Sequence, residues 1–422
     1  MSKIFKLFGR SDNNQYQSTV LGAEIENNDM VHHYLGLAPS QQSPAAYYRN
    51  GYTVFGTMAN QENNQETTMY LYNHSIGQLT TGVSWGTYPL GDYHSQPIPL
   101  ILPDGRILVA VSSDHNTECL IKRSINPYDV TTYETIATIT DGDPAYNCMV
   151  MLGGRIWMIF RNNLIDNAVR YSDDLGETWS TLDTILNLGA YSDYWAYPKV
   201  IYSNNKLMFI CNRFDQVGSD IYDKKYYLES VDGVNWSNIS GSRTQDISSA
   251  QISASDLDNY YSIGDSAPNS SFITAFCQWN DNPFFITQSP TSEDTLQFWY
   301  YSGSWQTKTI SVTDVPLKDV NRLELLATGT DSFILYAVNY GTFTESPNLQ
   351  SRIVKITTSD AFDTNSHEFL TPVDNDYSLI AAHNFTDSQK TAVICLALKT
   401  RGTGTDTEPI GGFSNIKIVD VI

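Results

Sequence analysis

The chain has 422 residues and a formal net charge of −21 at neutral pH, with 17% charged and 12% aromatic residues. This acidity, without a basic patch, argues against a nucleic-acid partner. No apolar run approaches the roughly 18 residues that insertion into a membrane requires. Short β-branched and aromatic runs, separated by Gly, Asn, Asp and Pro, indicate an all-β protein.

The N-terminal segment "MSKIFKLFGRSDNNQYQ" contains an apolar stretch that is too short for a signal peptide. The sequence therefore predicts synthesis in a cytoplasm without export by that route. The five cysteines occur singly, without CxxC spacing, at Cys119, Cys148, Cys211, Cys277 and Cys395. Such a dispersed odd set is typical of reduced core thiols, so we predict no disulfide frame, no cysteine-based metal site and no cofactor.

A hairpin pattern recurs along the chain at intervals near 50 residues. Its first four turns are predicted at Asn50-Gly51, Asp104-Gly105, Gly153-Gly154 and Asn204-Asn205, and later hairpins fit residues 247–264, 321–338 and 377–399. Repeats of this length with several strands each are typical of a β-propeller. We predict a seven-bladed β-propeller over residues 31–422, although six or eight blades also fit the spacing.

Residues 1–30 fall outside the repeat and are predicted to form an N-terminal extension that docks on another subunit. We also expect a strand from one end of the chain to complete the blade at the other end. This arrangement would remove the free sheet edges that otherwise invite pairing with other chains.

The stretch "GDYHSQPIPLILPDGRILVAVSSDHN" has a histidine near each end. Asp104-Gly105 favours a two-residue hairpin turn, because glycine readily adopts the positive φ that such turns require. With that turn, His94 lies opposite His115, with Cβ atoms roughly 5 Å apart. The sequence therefore predicts two imidazoles at the open end of this hairpin.

The next two hairpins carry polar residues at the equivalent position. A turn at Gly153-Gly154 places Tyr146 opposite Arg161. Tyr197 and Arg213 are opposed if the following asparagine turn takes one extra residue, and are diagonal neighbours otherwise. Three consecutive blades are thus predicted to place histidine, tyrosine and arginine around one side of the propeller mouth.

Two segments match the Asp-box, a short pattern of Ser, Asp, Gly and Trp. Its Asp and Ser side chains bond turn backbone, its glycine takes an unusual φ, and its tryptophan fills space between sheets. We therefore interpret both copies as structural. The matching residues are Ser172, Asp174, Gly176 and Trp179 in the first copy, and Ser230, Asp232, Gly233 and Trp236 in the shorter second copy.

Residues 88–215 resemble the BNR-repeat propellers that include the ulvan-lyase-type polysaccharide lyases. The resemblance rests on "DYHSQP", the "DG" hairpin, "SSDHN", "NPYDVTTYE" and "AYPKV…NRFD". In those lyases two histidines on one blade, and a tyrosine with an arginine sixteen residues later, line a groove that cleaves uronate-containing polysaccharide. The resemblance implies catalytic roles for His94, His115, Tyr197 and Arg213.

The chemistry that the resemblance implies is β-elimination on a uronate, which needs a carboxylate clamp, a base and an acid. Arg213 is the natural clamp because its guanidinium is bidentate and always charged. Either His94 or Tyr197 could be the base, and His115 would orient His94 or bind substrate. The residues expected to extend the substrate site are Tyr146, Arg161, Tyr194 and Trp195, with packing an equal alternative for the last two.

Several alternatives stay open at this stage. A sialidase would need three converging arginines, for which Arg49, Arg161 and Arg213 are available. A metal site using both histidines would need a further ligand, such as Asp92 or Asp114. Neither site is our main prediction, which assigns no metal.

A non-catalytic glycan- or receptor-binding propeller and a purely structural propeller are the remaining functional alternatives. Richness in Asn, Tyr, Ser and Thr, acidity and the predicted extension are typical of a bacteriophage tail or virion protein. The expected partners are a polysaccharide or cell-surface glycan and, through the extension, other virion subunits. The expected location is the virion, with the cytoplasm as the alternative.

Overall fold

The structure is a computed structural model of the full chain. It describes residues 24–25, 32–34, 46–61, 64–89, 97–112, 118–140, 142, 144–163, 165–188, 194–215, 221–265, 273–289, 292–311, 324–327, 332–339, 352–358, 365–370, 376–381, 392–398 and 414–421. Almost all of these residues lie in strands and the turns that join them, as the composition predicts. None of the helical turns in these ranges is long and apolar enough to cross a membrane.

The strands are short and follow one another along the whole chain. In order they are β1 (Glu24–Ile25), β2 (His32–Tyr34), β3 (Ala46–Arg49), β4 (Tyr52–Gln61), β5 (Asn64–Asn73), β6 (Gln78–Pro89), β7 (Ile98–Ile101), β8 (Ile107–Ser112), β9 (Cys119–Ser124), β10 (Tyr133–Ile139), β11 (Ala145–Leu152), β12 (Arg155–Asn162), β13 (Asp166–Ser172), β14 (Asp183–Asn187), β15 (Tyr194–Ser203), β16 (Lys206–Asp215), β17 (Ile221–Ser230), β18 (Asn235–Ser237), β19 (Thr244–Asp246), β20 (Ile252–Ser253), β21 (Ser262–Asp265), β22 (Ile273–Trp279), β23 (Asn282–Ser289), β24 (Ser292–Tyr301), β25 (Trp305–Ser311), β26 (Glu324–Ala327), β27 (Phe333–Asn339), β28 (Arg352–Thr358), β29 (Ser366–Phe369), β30 (Asp376–Ala381), β31 (Ala392–Leu398) and β32 (Ser414–Val421).

The described strands form seven separate sheets of four to six strands, each built mainly from strands that are consecutive in sequence. In chain order the sheets are β2-β4-β5-β6 with β3 on β4, β7 to β10, β11 to β14 with β20, β15 to β19 with β21 on β17, β22 to β25, β26 to β29, and β30 to β32 with β1. The strands β3, β7, β11, β15, β22 and β26 contact one another in that order, and β30 contacts β27 and β28 of the preceding sheet. This architecture is a β-propeller, as predicted.

The last sheet is completed by the first strand that the structure describes. Glu24 pairs with Lys417 and Ile25 with Ile416, so β1 lies along the outer edge of β32. β1 also contacts β6 of the first sheet. The expected closure by a terminal strand is therefore present, and it covers an edge that would otherwise be open to other chains.

Apolar side chains between neighbouring sheets form the core. One cluster joins the first three sheets around Leu100, Leu108 and Met158, and a second joins the third and fourth sheets around Trp157, Phe209 and Trp236. Successive residues of an inner strand are buried, as along the whole of β7 and β8, because both faces of an inner sheet are covered by neighbours. This packing fixes the positions of neighbouring sheets, and therefore of their strand ends, relative to one another.

Three of the four predicted hairpin turns have the expected length. Arg49 pairs with Tyr52, Leu152 with Arg155, and Ser203 with Lys206, each across a two-residue turn. Both residues of each turn have positive φ, which matches the right-handed twist of the flanking strands. The asparagines at these turns accept that conformation more readily than most other residues do.

The second hairpin differs from the prediction by one residue. Ile98 pairs with Ala110, and the amide of Leu102 donates to the Arg106 carbonyl at 2.8 Å, so the loop has three residues instead of two. Gly105, with a φ of 86°, closes this longer loop. The register used to oppose His94 and His115 is therefore wrong by one residue, and both histidines lie outside the described residues.

The hairpin predicted over residues 247–264 is also wrong. The fifth hairpin is formed instead by β22 and β23, whose turn at Asn280-Asp281 again has two residues with positive φ. Residues 252–265, which we call the strap, consist of β20, a helical turn at Ala254–Asp256, a wider turn at Leu257–Tyr261, and β21. The strap links two sheets, because β20 pairs with β14 and β21 pairs with β17.

Candidate active site

The two Asp-boxes build the same turn at equivalent places in the third and fourth sheets. In the first, the Ser172 hydroxyl accepts from the Gly176 amide at 2.8 Å and the Trp179 indole donates to the Gly176 carbonyl at 3.0 Å. In the second, Ser230 accepts from the Gly233 amide and Trp236 donates to the Gly233 carbonyl, at the same distances. The shorter spacing of the second box leaves these contacts unchanged.

The aspartates of the boxes bond the turn backbone and do not face the propeller mouth. Asp174 accepts from the Thr178 amide at 2.8 Å, and Asp232 accepts from the Val234 and Asn235 amides. Burial opposes ionisation of each carboxyl, but these hydrogen bonds outweigh it and lower both pKa values. Each box is therefore a self-contained turn with an ionised aspartate.

The polar residues predicted at the third hairpin do meet, although their backbone register differs from the prediction. Arg161 pairs with Ala145, and Cys148 pairs with Ile159, so the strand bulges at Tyr146 and Asn147. Tyr146 has a φ of 54°, which is uncommon for a residue with a large side chain. Its ring nevertheless lies against Arg161, with the guanidinium carbon 4.3 Å from the ring centroid.

Arg161 also joins the third hairpin to the fourth. Its guanidinium carbon is 5.5 Å from the Tyr197 ring centroid, and the Tyr146 and Tyr197 rings meet edge to face with centroids 5.0 Å apart. A cation held against two aromatic rings away from water is stabilised by their quadrupoles. Three of the predicted site residues thus form one cluster, in which Arg161 is 1% exposed and Tyr197 is 7% exposed.

Tyr197 and Arg213 are diagonal neighbours, which is the second of the two predicted alternatives. Tyr197 pairs with Asn212, and Arg213 pairs with Ala196. Because adjacent positions of a strand face opposite ways, the two side chains leave the sheet on opposite faces. Tyr197 still reaches Arg161 of the third sheet because β15 is the edge strand of its sheet.

Hydrogen bonds tie the same ends of the second, third and fourth sheets together. The Asn147 amide group donates to the Ser112 hydroxyl at 2.6 Å, which connects the end of β8 to the bulge. The Asn167 side chain donates to the Ala196 carbonyl at 3.4 Å and accepts from the Cys211 thiol. The ends of three consecutive sheets are therefore held side by side.

Arg213 belongs to a second polar group in the same region. Asp258 of the strap lies 2.8 Å from the Lys224 ammonium, accepts from the Tyr226 hydroxyl at 2.8 Å, and is 4.0 Å from the Arg213 guanidinium. Burial opposes ionisation of Asp258, but the hydrogen bonds from Lys224 and Tyr226 and the charges of Lys224 and Arg213 lower its pKa overall. This acidic residue was missed in the sequence because it lies far along the chain in a segment predicted to be a hairpin.

We define the cation cluster as Arg161, Arg213, Lys224 and Lys225. Lys224 pairs with Arg213 and Lys225 with Asn212 on the adjacent strand, so Arg213 and Lys224 leave the fourth sheet on one face and Lys225 leaves it on the other. Arg161, Arg213 and Lys225 are each at least 95% buried, and Lys225 lies 5.6 Å from the Trp299 ring centroid. Buried cations favour a nearby anion, and Asp258 supplies one beside Lys224 and Arg213.

The remaining predicted site residues cannot be placed with side chains. His94 and His115 lie outside the described residues, and for Tyr194 and Trp195 the structure describes only the backbone of β15. Among the described side chains, no group of three or more His, Cys, Asp or Glu is arranged to hold a metal ion. The alternative metal site at the two histidines is therefore untested.

The model of the BNR repeat-containing family matches residues 44–313, which is well over half of the chain. The chain belongs to this family. The matched range includes both Asp-boxes, the cation cluster and the strap. No curated protein sequence matches the chain.

Solved structures of other propellers resemble this BNR-repeat protein from end to end. A family PL25 polysaccharide lyase, an ulvan lyase, is similar with a TM-score of 0.71 and 14% identity over 94% of this chain and 96% of the lyase. A PL25 ulvan lyase bound to -[GlcA(1-4)Rha3S]- has a TM-score of 0.69 and 14% identity over 94% of this chain and 96% of the lyase. The polysaccharide lyase Uly1 has a TM-score of 0.61 and 13% identity over 94% of this chain and 98% of the lyase. At this level of identity the likeness establishes the fold.

Proposed function

We propose that this protein acts on an anionic, uronate-containing polysaccharide and cleaves it by β-elimination. The observation that carries the proposal is the cation cluster. It comprises four positive side chains at the same ends of two adjoining sheets, with Asp258 as an acidic neighbour of two of them, in a protein whose net charge is −21. Such a local excess of positive charge favours a polyanion over a neutral glycan, because substrate carboxylates supply the negative charge that the cluster attracts.

The proposed chemistry assigns one task to each group. Arg213 clamps the uronate carboxylate and so makes the C5 proton more acidic. Tyr197 or His94 removes that proton, the electrons of the C5–H bond form the C4=C5 double bond as the C4–O bond breaks, and the protonated base or water returns a proton to the departing oxygen. His115 orients His94 or binds substrate. Arg161 and Tyr146 lie too deep to bind much of a sugar, so they hold Tyr197 from below. Tyr194 and Trp195 remain candidates for stacking on sugar rings.

The fold likeness supports the same reaction class. Two of the similar structures are PL25 ulvan lyases, and one of them is bound to a fragment that contains GlcA, which is a uronate.

Within this proposal we take each of the seven sheets as one blade, with residues 1–30 as an extension and residues 31–422 as the propeller. A virion location and binding to other virion subunits remain predictions from composition.

The test is incubation of the full chain with a panel of polyuronates, including a polymer of glucuronate and sulfated rhamnose. The product of elimination is an unsaturated uronate, which is followed by its near-ultraviolet absorbance. Tyr197→Phe and Arg213→Ala should each lower the rate by about 100-fold or more, in line with the loss of a catalytic group. Tyr202→Phe is the matched control, because its hydroxyl bonds Asn205 at the far end of the same strand.

A second candidate is glycan binding without cleavage. It is favoured by the burial of Tyr197 and Arg213, which are only 7% and 5% exposed. So little exposure limits how closely either group can approach the reacting atoms of a bound sugar. Retention on a polyuronate column without any absorbance change would support this candidate and contradict the lyase. Absence of both cleavage and retention would overturn both, and full activity in Tyr197→Phe and Arg213→Ala would overturn the assigned site.

A further inference from the structure

The strap is anchored firmly to both sheets that it links. Its apolar residues Ala254, Leu257 and Tyr261 are buried in the core between the third and fourth sheets. The Tyr261 hydroxyl donates to the Trp236 carbonyl at 3.4 Å, next to the second Asp-box. A segment packed in this way presents its polar side chains in fixed directions.

Asp258 is the strap residue that reaches the cation cluster. One carboxylate oxygen lies 2.8 Å from the Lys224 ammonium, and the other accepts from Tyr226 and is 4.0 Å from Arg213. Lys224 and Arg213 are direct cross-strand partners, and two like charges in that position repel each other. The carboxylate of Asp258 offsets this repulsion and attracts the Arg213 guanidinium from 4.0 Å.

We propose that Asp258 is a positioning residue, which holds the Arg213 guanidinium in the orientation that clamps the substrate carboxylate. This inference rests on the proposed lyase function. During elimination the negative charge on the substrate carboxylate increases, so a correctly aimed guanidinium stabilises the transition state more than the bound substrate. Misplacing Arg213 should therefore lower kcat more than it raises KM.

The test compares Asp258→Asn with Asp256→Asn in the full chain. Asp256 is a matched control, because it lies on the same strap, is similarly exposed and pairs with Arg243 at 3.4 Å. On the polyuronate that the wild type cleaves fastest, Asp258→Asn should lower kcat about 10- to 100-fold with KM within about threefold, since small misplacements of reacting groups have effects of this size. Asp256→Asn should change neither constant more than about twofold.

Each outcome distinguishes the role of Asp258 from the proposed function. If the wild type cleaves a polyuronate and the two variants behave alike, the positioning role is overturned and the lyase function stands. If the wild type cleaves none, the function fails and the role fails with it. If Asp258→Asn does not fold, Asp258→Glu is tested in its place, because it keeps the charge but moves the carboxylate by one methylene group. An unchanged kcat in Asp258→Glu would overturn the positioning role.

Discussion

Replacing Gly233 by alanine tests how closely the second Asp-box packs on the preceding sheet. Gly233 has a φ of 77°, where an L-residue costs about 1–2 kcal/mol. A Cβ at this position would also overlap the ring of Trp157, which is 2% exposed and has no space to move into. Overpacking of a full core costs about 1–3 kcal/mol more, so Gly233→Ala should destabilise the protein by about 2–5 kcal/mol.

Gly241→Ala is the matched control for this variant. Gly241 has a similar φ of 68°, but a Cβ there would meet nothing within 4 Å. It should cost only the backbone penalty of about 1–2 kcal/mol. Urea unfolding followed by circular dichroism gives both values from the midpoints, provided that the slope is unchanged. Equal destabilisation by the two substitutions, within about 0.5 kcal/mol, would refute the packing argument.

Three further predictions concern buried and charged groups. Burial raises the pKa of the Cys119 thiol to about 12. Ellman's reagent at pH 8 should therefore label Cys119 only after urea unfolds the protein, because the thiolate is the reactive form. Labelling of Cys119 in the native chain would contradict this prediction. Arg161→Lys should lower the free energy of unfolding by about 1–2 kcal/mol, because a lysine lacks the planar guanidinium that contacts the rings of Tyr146 and Tyr197. An unchanged urea midpoint would argue against a stabilising contact between Arg161 and these rings. The pKa of Asp258 is lowered in the folded state, so its stabilising contribution is complete above the ordinary carboxyl value of about 4 and is lost as the pH falls through the lowered value. The difference in urea midpoint between wild type and Asp258→Asn should therefore shrink below about pH 4, and a constant difference down to pH 2 would exclude this linkage.

Local turn chemistry was the most predictable part of this fold. Asn50-Gly51, Gly153-Gly154 and Asn204-Asn205 form two-residue turns because few other residues accept positive φ at both positions. Asp104-Gly105 carries a similar signal, but Pro103 has no amide hydrogen to donate and lies inside a three-residue loop instead. A difference of one residue in a loop changes the cross-strand pairs that follow it, so the turn rule alone could not give the register of this hairpin.

The candidate site was predictable where it depended on spacing and not where it depended on tertiary packing. Tyr146, Arg161 and Tyr197 meet because equivalent ends of neighbouring sheets lie side by side. The bulge at Tyr146 gives no signal in the sequence, since its positive φ occurs without a glycine. Asp258 was missed because "ISASDLDNYYSIG" lies where the repeat predicts a hairpin, whereas the packing of two sheets holds this segment as the strap.

The pairing of β1 with β32 has a consequence for how the molecule is made. Glu24 pairs with Lys417, so the whole segment between these two residues has to leave the ribosome before this sheet can be completed. Until then β1 lacks its partner strand, and unpaired strand backbone is the arrangement that recruits strands from other nascent chains. Bringing together ends so distant in sequence adds only a few kcal/mol of loop entropy, but it makes closure a late event. We therefore expect misassembly of this propeller to be most frequent when many copies of the chain are being synthesised close together.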